Sequence, residues 1–318
     1  MSSKTNKLNQ KPIMEKTIKI YIILIAILLA SCKKEDITPA FIEITLEDML
    51  NSVDVSEFNS ENQTNYTEEE LKAIARQNFT HVALLANGTS LGVYTLPAKI
   101  PVLAYDSTRL YIMPCIKMNG ISTTIRNYYG IVQPCTTTVF LKKGETYTFR
   151  DNPIRFKYHK GAEFPLLELF SNITTFKPDT FVSSIPIVLA TVDGQDVGSV
   201  TVNGARKPFE LVGPEMTLPS LGQDLFFEMD YKCDEEVFIS IDIYYNTIWN
   251  VRSLIGIHAP DENSAHTWNK IYVNLTKVVG NGGQGSATVK ARMRISGNSM
   301  AKEQAHFYFD NMKVIYIK

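Results

Sequence analysis

The chain has 318 residues, of which 20% are charged and 44% are hydrophobic, and its formal net charge is −1. This balance of signs argues against a nucleic-acid partner and against a basic membrane-binding face. Roughly 280 residues follow an N-terminal apolar run, which is enough for two domains of ordinary size, or one large sandwich, with a sizeable core.

The N-terminal segment has the order of an export signal. Five lysines precede an apolar run at residues 20–30, the small residues Ala30 and Ser31 end that run, and Cys32 follows. Because about eleven apolar residues fall short of the roughly twenty that span a bilayer, a removable signal is favoured over a transmembrane helix. The alternative is a cytosolic protein with an apolar N-terminus.

The run Leu29-Ala30-Ser31-Cys32 resembles the lipobox of bacterial lipoproteins that signal peptidase II processes. The resemblance implies that residues 1–31 are removed, that Cys32 carries diacylglycerol and that residues 32–40 are a lipidated tether. Removing five lysines and one glutamate would change the net charge from −1 to −5. The acids after Lys34 also resemble surface-export signals of the Bacteroidota, so the expected address is the outer membrane, at its periplasmic face or at the cell surface.

Short helices precede the β-rich body, within residues 41–80. Thr67 and Glu70 form a capping-box pattern that predicts a helix over residues 67–78, and Thr45 with Asp48 predicts a shorter one. From residue 81 the pattern changes to strands rich in β-branched and aromatic residues. Closely spaced strands with no helices between them exclude a parallel α/β sheet, so we expect an antiparallel immunoglobulin-like or similar sandwich over residues 81–160.

Three cysteines remain besides Cys32. Cys115 and Cys135 each follow a proline and flank a predicted hairpin at Asn119-Gly120, so one interpretation is a disulfide between them in an exported chain. The alternative is two buried free thiols. Cys233 lies in a strand-like run and is expected to be a small buried hydrophobic residue.

A predicted linker at residues 161–178 leads to a second strand series. Nine strand-like runs over residues 179–318 predict a jelly roll or a similar two-sheet sandwich. The last run alternates as a strand does, but neither face is purely apolar, which indicates a neighbouring cleft or metal.

Three pieces of this region resemble the C-terminal domain of uncharacterised Bacteroidota lipoproteins: residues 225–232, 267–275 and 307–314. The closing strand is also similar to those of carbohydrate-binding jelly rolls. These resemblances imply an exported, lipid-anchored, non-catalytic protein without a cofactor, apart from a structural Ca²⁺ that Asp310 would help to hold. The alternative for Asp310 is an ordinary edge aspartate.

An enzyme is the competing class for a β-sandwich. Glu228 and Asp230 begin like the Glu-x-Asp-x-Glu strand motif of one class of glycosidases, in which two carboxyls lie close together. The third acid is missing, because Lys232 or Cys233 occupies its place. We therefore expect no catalysis, and interpret the two acids as solvated or cation-paired.

Two further patterns have ordinary explanations. The stretch with His258, Asp261, Glu262 and His266 could hold a transition metal, but its spacing matches no familiar zinc pattern and a solvated loop is the simpler interpretation. The glycine-rich run at residues 281–285 is expected to be a flexible hairpin instead of a phosphate-binding loop.

Exposed aromatic residues are the candidate ligand contacts. Tyr244, Tyr245 and Trp249 lie near a predicted turn and could stack on a sugar ring, whereas Trp268 is expected in the core. The sequence thus predicts a lipid-anchored envelope protein that binds polysaccharide through its C-terminal jelly roll. The alternatives are a docking subunit of an envelope assembly, such as a secretion or gliding apparatus, and a glycoside hydrolase with an unrecognised site.

Overall fold

The structure is a computed structural model that describes residues 38–50, 52–128, 130–258, 267–300 and 302–318. Cys32 and the predicted signal lie outside the described residues. The predicted fold class, mainly β with antiparallel sheets, is confirmed. No described helix is long and apolar enough to cross a membrane.

The elements of the first half are β1 (Ala40–Ile44), α1 (Leu46–Met49), α2 (Phe58–Asn62), α3 (Glu68–Ala75), β2 (His81–Ala86), β3 (Thr89–Thr95), β4 (Ala98–Val102), β5 (Asp106–Lys117), β6 (Ile125–Asn127), β7 (Cys135–Leu141), β8 (Thr146–Thr148) and β9 (Ala162–Glu168).

The elements of the second half are β10 (Lys177–Pro178), β11 (Val188–Val192), β12 (Gln195–Asn203), β13 (Pro208–Val212), β14 (Met216–Pro219), β15 (Leu225–Cys233), β16 (Val237–Tyr245), β17 (Ile248–Ile257), β18 (Asn269–Asn274), α4 (Thr276–Gly283), β19 (Thr288–Asn298) and β20 (Gln304–Ile317).

Both predicted N-terminal helices are present with complete capping boxes. The Thr67 hydroxyl accepts from the Glu70 backbone N–H at 3.2 Å, and the Glu70 carboxylate accepts from the Thr67 N–H at 2.7 Å. Thr45 and Asp48 make the same reciprocal pair before α1. These caps satisfy N–H groups that a helix start would otherwise leave unpaired.

Four sheets make up the described β structure. Sheet A has the order β4-β1-β8, and sheet B has the order β3-β2-β5-β6 with β7 also on β5. Sheet C has the order β11-β12-β20-β15-β18 with β9 on β20, and sheet D has the order β10-β13-β19-β16-β17 with β14 on β19. Sheets C and D contribute to one shared apolar core, which makes the C-terminal part a two-sheet sandwich.

Residues Ala40–Lys318 form one compact unit. Strand β9 lies within the predicted linker and pairs with β20 in sheet C. A second apolar core, built mainly from residues before 165, also takes in Phe226, Tyr272 and Ile315 from sheet C. The N-terminal part therefore covers the outer face of the C-terminal sandwich.

The alternation predicted for the last strand is interrupted at Asn311, which has φ 47°. Between Glu228 and Asp230 of β15, the register on β20 passes from Lys313 to Asp310, so two residues of β20 lie opposite one of β15. This β-bulge puts Asp310 and Lys313, three positions apart, on the same side of the sheet. Met312 therefore joins the apolar core with Phe309, whereas strict alternation would have placed Asn311 on the side of Phe309.

Candidate functional site

A cluster of charges, buried except for the partly exposed Arg76, lies between α3 and the outer face of sheet C. It pairs three acids with three cations: Glu228, Asp230 and Asp310 with Arg76, Lys270 and Lys313. Lys313 Nζ lies 3.4 Å from Glu228 Oε2, and both side chains are fully buried. The Lys313 ammonium also donates to the carbonyls of Ala73 and Ile74, at 3.0 and 3.1 Å, where helix carbonyls lack partners.

Glu228 has further donors on every side. Tyr128 Oη donates to Glu228 Oε1 at 2.7 Å, and Gln77 Nε2 donates to Glu228 Oε2 at 3.0 Å. Lys270 Nζ lies 3.5 Å from Glu228 Oε2 and 3.2 Å from Asp230 Oδ1. The two acids of the glycosidase-like motif are thus buried and paired with cations, as the non-catalytic interpretation of the sequence expects. Their hydrogen bonds and ion pairs connect the N-terminal part of the fold to the C-terminal sandwich.

Asp310 is held by protein groups that do not suit a calcium ligand. Its Oδ2 accepts from Arg76 Nη1 at 2.8 Å, and its Oδ1 accepts from the Asn311 N–H at 2.6 Å. A calcium ion at this carboxylate would be repelled by the guanidinium charge. Within the described ranges, no group of three or more His, Cys, Asp or Glu side chains is placed to hold a metal ion.

Burial changes the titration of this cluster. Burial raises the pKa of Asp310 to about 6, although Arg76 beside it acts in the opposite direction. Burial lowers the pKa of Lys313 to about 8, against the attraction of Glu228. Desolvation therefore outweighs ion pairing for both groups.

Of the other metal candidates, only His258 lies within the described residues. His258 Nδ1 lies 3.0 Å from Glu236 Oε1 on an exposed surface. Asp261, Glu262 and His266 lie outside the described residues.

The structure has free thiols at Cys115, Cys135 and Cys233, so the predicted disulfide is not formed. Cys135 lies opposite Ile112 on β5, whereas Cys115 is three residues further along that strand. This offset is about 10 Å, with the side chains on opposite faces, and exceeds the reach of a disulfide. The Cys115 thiol donates instead to Asn127 Oδ1 at 3.0 Å.

The predicted aromatic contacts separate onto two faces of the β16–β17 hairpin. Tyr244 and Trp249 are direct cross-strand partners with ring centroids 5.1 Å apart, on the outer face of sheet D. Tyr245, the next residue, points to the other face, as strand alternation requires. Tyr244 is 39% exposed and Trp249 is half-buried.

Trp249 is half-buried because a guanidinium covers it. The Arg292 guanidinium carbon lies 4.3 Å from the Trp249 ring centroid, and Arg292 Nε donates to Asp242 Oδ2 at 2.8 Å. Arg294 also donates to Asp242, at 2.8 and 3.1 Å, and reaches Asp179 at 2.7 Å. Burial lowers the pKa of Arg294, but its carboxylate partners raise it by more, so the net pKa is above the usual range.

This row of charges next to the aromatic pair was not predicted from the sequence. Its signal was present, since Arg292 and Arg294 share one face of a strand and Asp242 and Tyr244 share one face of the neighbouring strand. We name the outer face of sheet D around Tyr244, Trp249, Arg292 and Asp242 the Trp249 face. Rings with a fixed guanidinium beside them offer both a stacking surface and hydrogen-bond donors.

The other face of the same hairpin borders a cavity of about 250 Å³. Helix α4 forms its opposite wall, where the sequence predicted a flexible hairpin over residues 281–285. The glycine-rich run instead ends that helix, with Gln284 as its left-handed C-cap at φ 45°. A Cβ at Gly282 would lie 2.5 Å from Ile243 Cδ1 and 3.0 Å from Ile243 Cγ2, so a larger residue here would require the Ile243 side chain to shift.

Comparisons with known proteins give partial structural similarity only. No protein-family model matches the chain, and no curated protein matches its sequence. Similar solved structures include the family 11 carbohydrate-binding module from Clostridium thermocellum, with 12% identity over 48% of this chain and 95% of that chain and a TM-score of 0.32. The enzymatically active domain of bacteriophage CBA120 tailspike protein 4 matches at 13% identity, with a TM-score of 0.34.

That tailspike match covers 47% of this chain and only 20% of the tailspike chain. A third structure, of a promiscuous carbohydrate-binding module from the β-sandwich superfamily, matches at 11% identity over 75% of this chain and 85% of that chain, with a TM-score of 0.30. The sheets of the chain itself define it as an antiparallel β-sandwich protein.

Proposed function

We propose that this chain is a lipid-anchored envelope protein that binds glycan on the Trp249 face without cleaving it. The observation that carries the proposal is the Tyr244–Trp249 pair, two rings 5.1 Å apart on an exposed sheet face with Arg292 stacked beside them. Aromatic rings bind the apolar C–H face of a sugar, while the guanidinium donates to its oxygens.

The non-catalytic part of the proposal is supported by the state of the carboxyls. Glu228 and Asp230 are buried under α3 and paired with cations, away from the Trp249 face. On that face Asp242 is fully buried between two arginines. A glycosidase needs one carboxyl free to donate a proton and a second free to attack or to activate water.

Anchoring is supported by the lipobox resemblance at Cys32. Each buried methylene of an acyl chain contributes about 0.8 kcal/mol, so two or more chains hold a soluble domain at a membrane surface. The outer membrane remains the proposed address.

Affinity electrophoresis of the detergent-solubilised full chain in plant, algal and bacterial polysaccharides tests the binding. Retention should fall about fivefold in Trp249→Ala, since an aromatic contact contributes about 1 kcal/mol beyond its buried area. Trp268→Ala is the matched control, because Trp268 is the other tryptophan of the chain and donates to Asp193 away from this face. Release of reducing ends in a parallel assay would contradict the non-catalytic part.

A docking subunit of an envelope assembly is the second candidate function. Phe181 is fully exposed, and Val188 and Leu189 on edge strand β11 are 50% and 41% exposed. An edge strand with apolar side chains suits the addition of a strand from a partner protein. Absence of retention on every glycan, with Trp249→Ala indistinguishable from the natural chain, would favour this candidate.

A further inference from the structure

The cavity on the far side of the hairpin collects polar groups that have no partner within the protein. Tyr245, Asn250 and Arg252 come from the hairpin, and Asn281 and Gln284 come from the end of α4. In the described part of the chain, no hydrogen bond or ion pair engages the Arg252 guanidinium, the Tyr245 hydroxyl or the side-chain amides of Asn281 and Gln284. These groups converge on one volume of about 250 Å³. We call it the Tyr245 cavity.

The backbone fixes the positions of these groups. Asn250 is the direct cross-strand partner of Ile243, and Arg252 is that of Ile241, so Arg252 and Asn250 share the inward side of the hairpin with Tyr245. The Asn250 side-chain amide is itself held by the Tyr245 and Ile248 carbonyls, at 3.3 and 3.2 Å. Ile243 and the close approach of Gly282 set the distance between hairpin and helix. The cavity is therefore formed before any ligand binds.

The lining has the chemistry of a sugar site. Side-chain amides donate and accept at once, which matches neighbouring hydroxyl groups, and the Tyr245 ring supplies an apolar surface. Ile243 and Val278 are its aliphatic lining. At about 30 Å³ for each water, the volume corresponds to about eight waters, which suits a single monosaccharide.

The charge of the cavity selects among sugars. Arg252 is its one charged lining residue, and no acidic side chain of the described residues lines it. The C-terminus of α4 faces the same space with about half a negative charge, whereas the guanidinium carries a full positive charge in a fork that fits a carboxylate. The net preference is for an anion at the Arg252 end.

We propose that the Tyr245 cavity binds one carboxylate-bearing sugar residue, a uronic acid. Arg252 pairs with the carboxylate, Tyr245 packs on the ring, and Asn281 and Gln284 bind its hydroxyls. The site is separate from the Trp249 face, and the proposal does not rest on glycan binding there.

Calorimetric titration of the full chain with galacturonate and glucuronate oligosaccharides tests this, with the matching galactose and glucose oligosaccharides as controls. Uronates should bind at least about tenfold more tightly than the neutral sugars. Arg252→Gln should abolish that preference and leave the affinity for neutral sugars unchanged. Arg252→Lys should keep only part of the preference, because lysine lacks the planar fork of N–H donors that fits a carboxylate.

Trp249→Ala separates the two sites. It should leave the uronate preference intact even where it abolishes polysaccharide retention, so either proposal can fail alone. Equal binding of neutral and acidic oligosaccharides, an unchanged preference in Arg252→Gln, or loss of the preference in Trp249→Ala would each overturn the assignment. Folding of every variant is checked by its thermal unfolding midpoint, and a variant that unfolds early is replaced by Tyr245→Ala and Gln284→Ala, which should each weaken uronate binding.

Discussion

Lys313 Nζ and Glu228 Oε2 lie 3.4 Å apart in the interior, with both side chains fully buried. A β-bulge at Asn311 turns Lys313 toward α3, and the helix-end carbonyls of Ala73 and Ile74 complete its hydrogen bonds. The pair links two neighbouring strands of the C-terminal sandwich, and the Lys313 hydrogen bonds to Ala73 and Ile74 join it to a helix of the N-terminal part. Replacing one partner alone leaves a buried charge with less compensation, which is costly in a low dielectric.

Lys313→Met should lower the free energy of unfolding by about 3 to 5 kcal/mol, since Glu228 loses a buried cation. Urea denaturation measures the change. Lys290→Met is the control, because Lys290 pairs with Glu215 at an exposed position and its loss should lower the free energy of unfolding far less. Equal losses in both variants would contradict the buried-pair account, and Glu228→Gln added to Lys313→Met should recover part of the loss.

The raised pKa of Asp310 predicts the direction in which the stability of the protein changes with pH. Its pKa is about 6 in the folded chain, above the ordinary value of 3.8, so the folded state binds the proton more tightly. This group's contribution to stability is full below pH 4 and is lost as the pH rises through 6. The advantage of the natural chain over Asp310→Asn should fall by up to about 3 kcal/mol from pH 4 to pH 7. Urea denaturation of both proteins across that range measures it, and an advantage that grows with pH would show that the Arg76 ion pair dominates.

Three thiols should be found in the folded body. Burial raises the pKa of Cys115 to about 12 and that of Cys233 to about 12, and it also raises the pKa of Cys135. Few thiolates exist at neutral pH, so alkylation of the native protein should be slow and alkylation after denaturation complete without reductant. Intact-mass measurement counts the adducts. One adduct before reduction, with two more appearing only after reduction, would restore the Cys115–Cys135 disulfide.

Alanine substitutions at two glycines of α4 should change the stability of the protein in opposite directions. Gly282→Ala places a Cβ 2.5 Å from Ile243 Cδ1 and should cost about 1 to 3 kcal/mol through overpacking. Gly280→Ala meets only the Ser220 carbonyl at 3.4 Å and should be neutral or stabilising by up to about 1 kcal/mol, because alanine favours helix. Thermal unfolding of both variants measures the difference. Equal stability would mean that α4 does not pack closely on β16.

Cys32→Ala should release the protein from the membrane and block removal of the signal, because the thiol is the expected site of lipid attachment. Membrane fractionation followed by alkaline extraction measures the anchor. Cys233→Ala is the control and should remain membrane-bound. A Cys32→Ala protein that resists alkaline extraction would refute the lipobox interpretation.

Local patterns in the sequence were sufficient to predict the helices and strands whose determining residues lie close together in the chain. The capping boxes at Thr45 and Thr67 predicted both helices, since the pairing groups lie three residues apart in the chain. β-Branched and aromatic runs predicted the mainly β class. The glycine-rich run at residues 281–285 was misinterpreted, because glycine's low helix propensity was outweighed by packing of α4 against Ile243.

By itself, the sequence determined what depends on neighbours in the chain: the lipobox pattern, the helix caps and the strand series. Only the tertiary structure decided what depends on residues far apart. The bulge at Asn311 brought Lys313 to Glu228, and strand order brought Arg292 onto Trp249 and Arg252 to the end of α4. One extra residue in a strand reverses which face every later side chain occupies, and no local pattern shows where that residue lies.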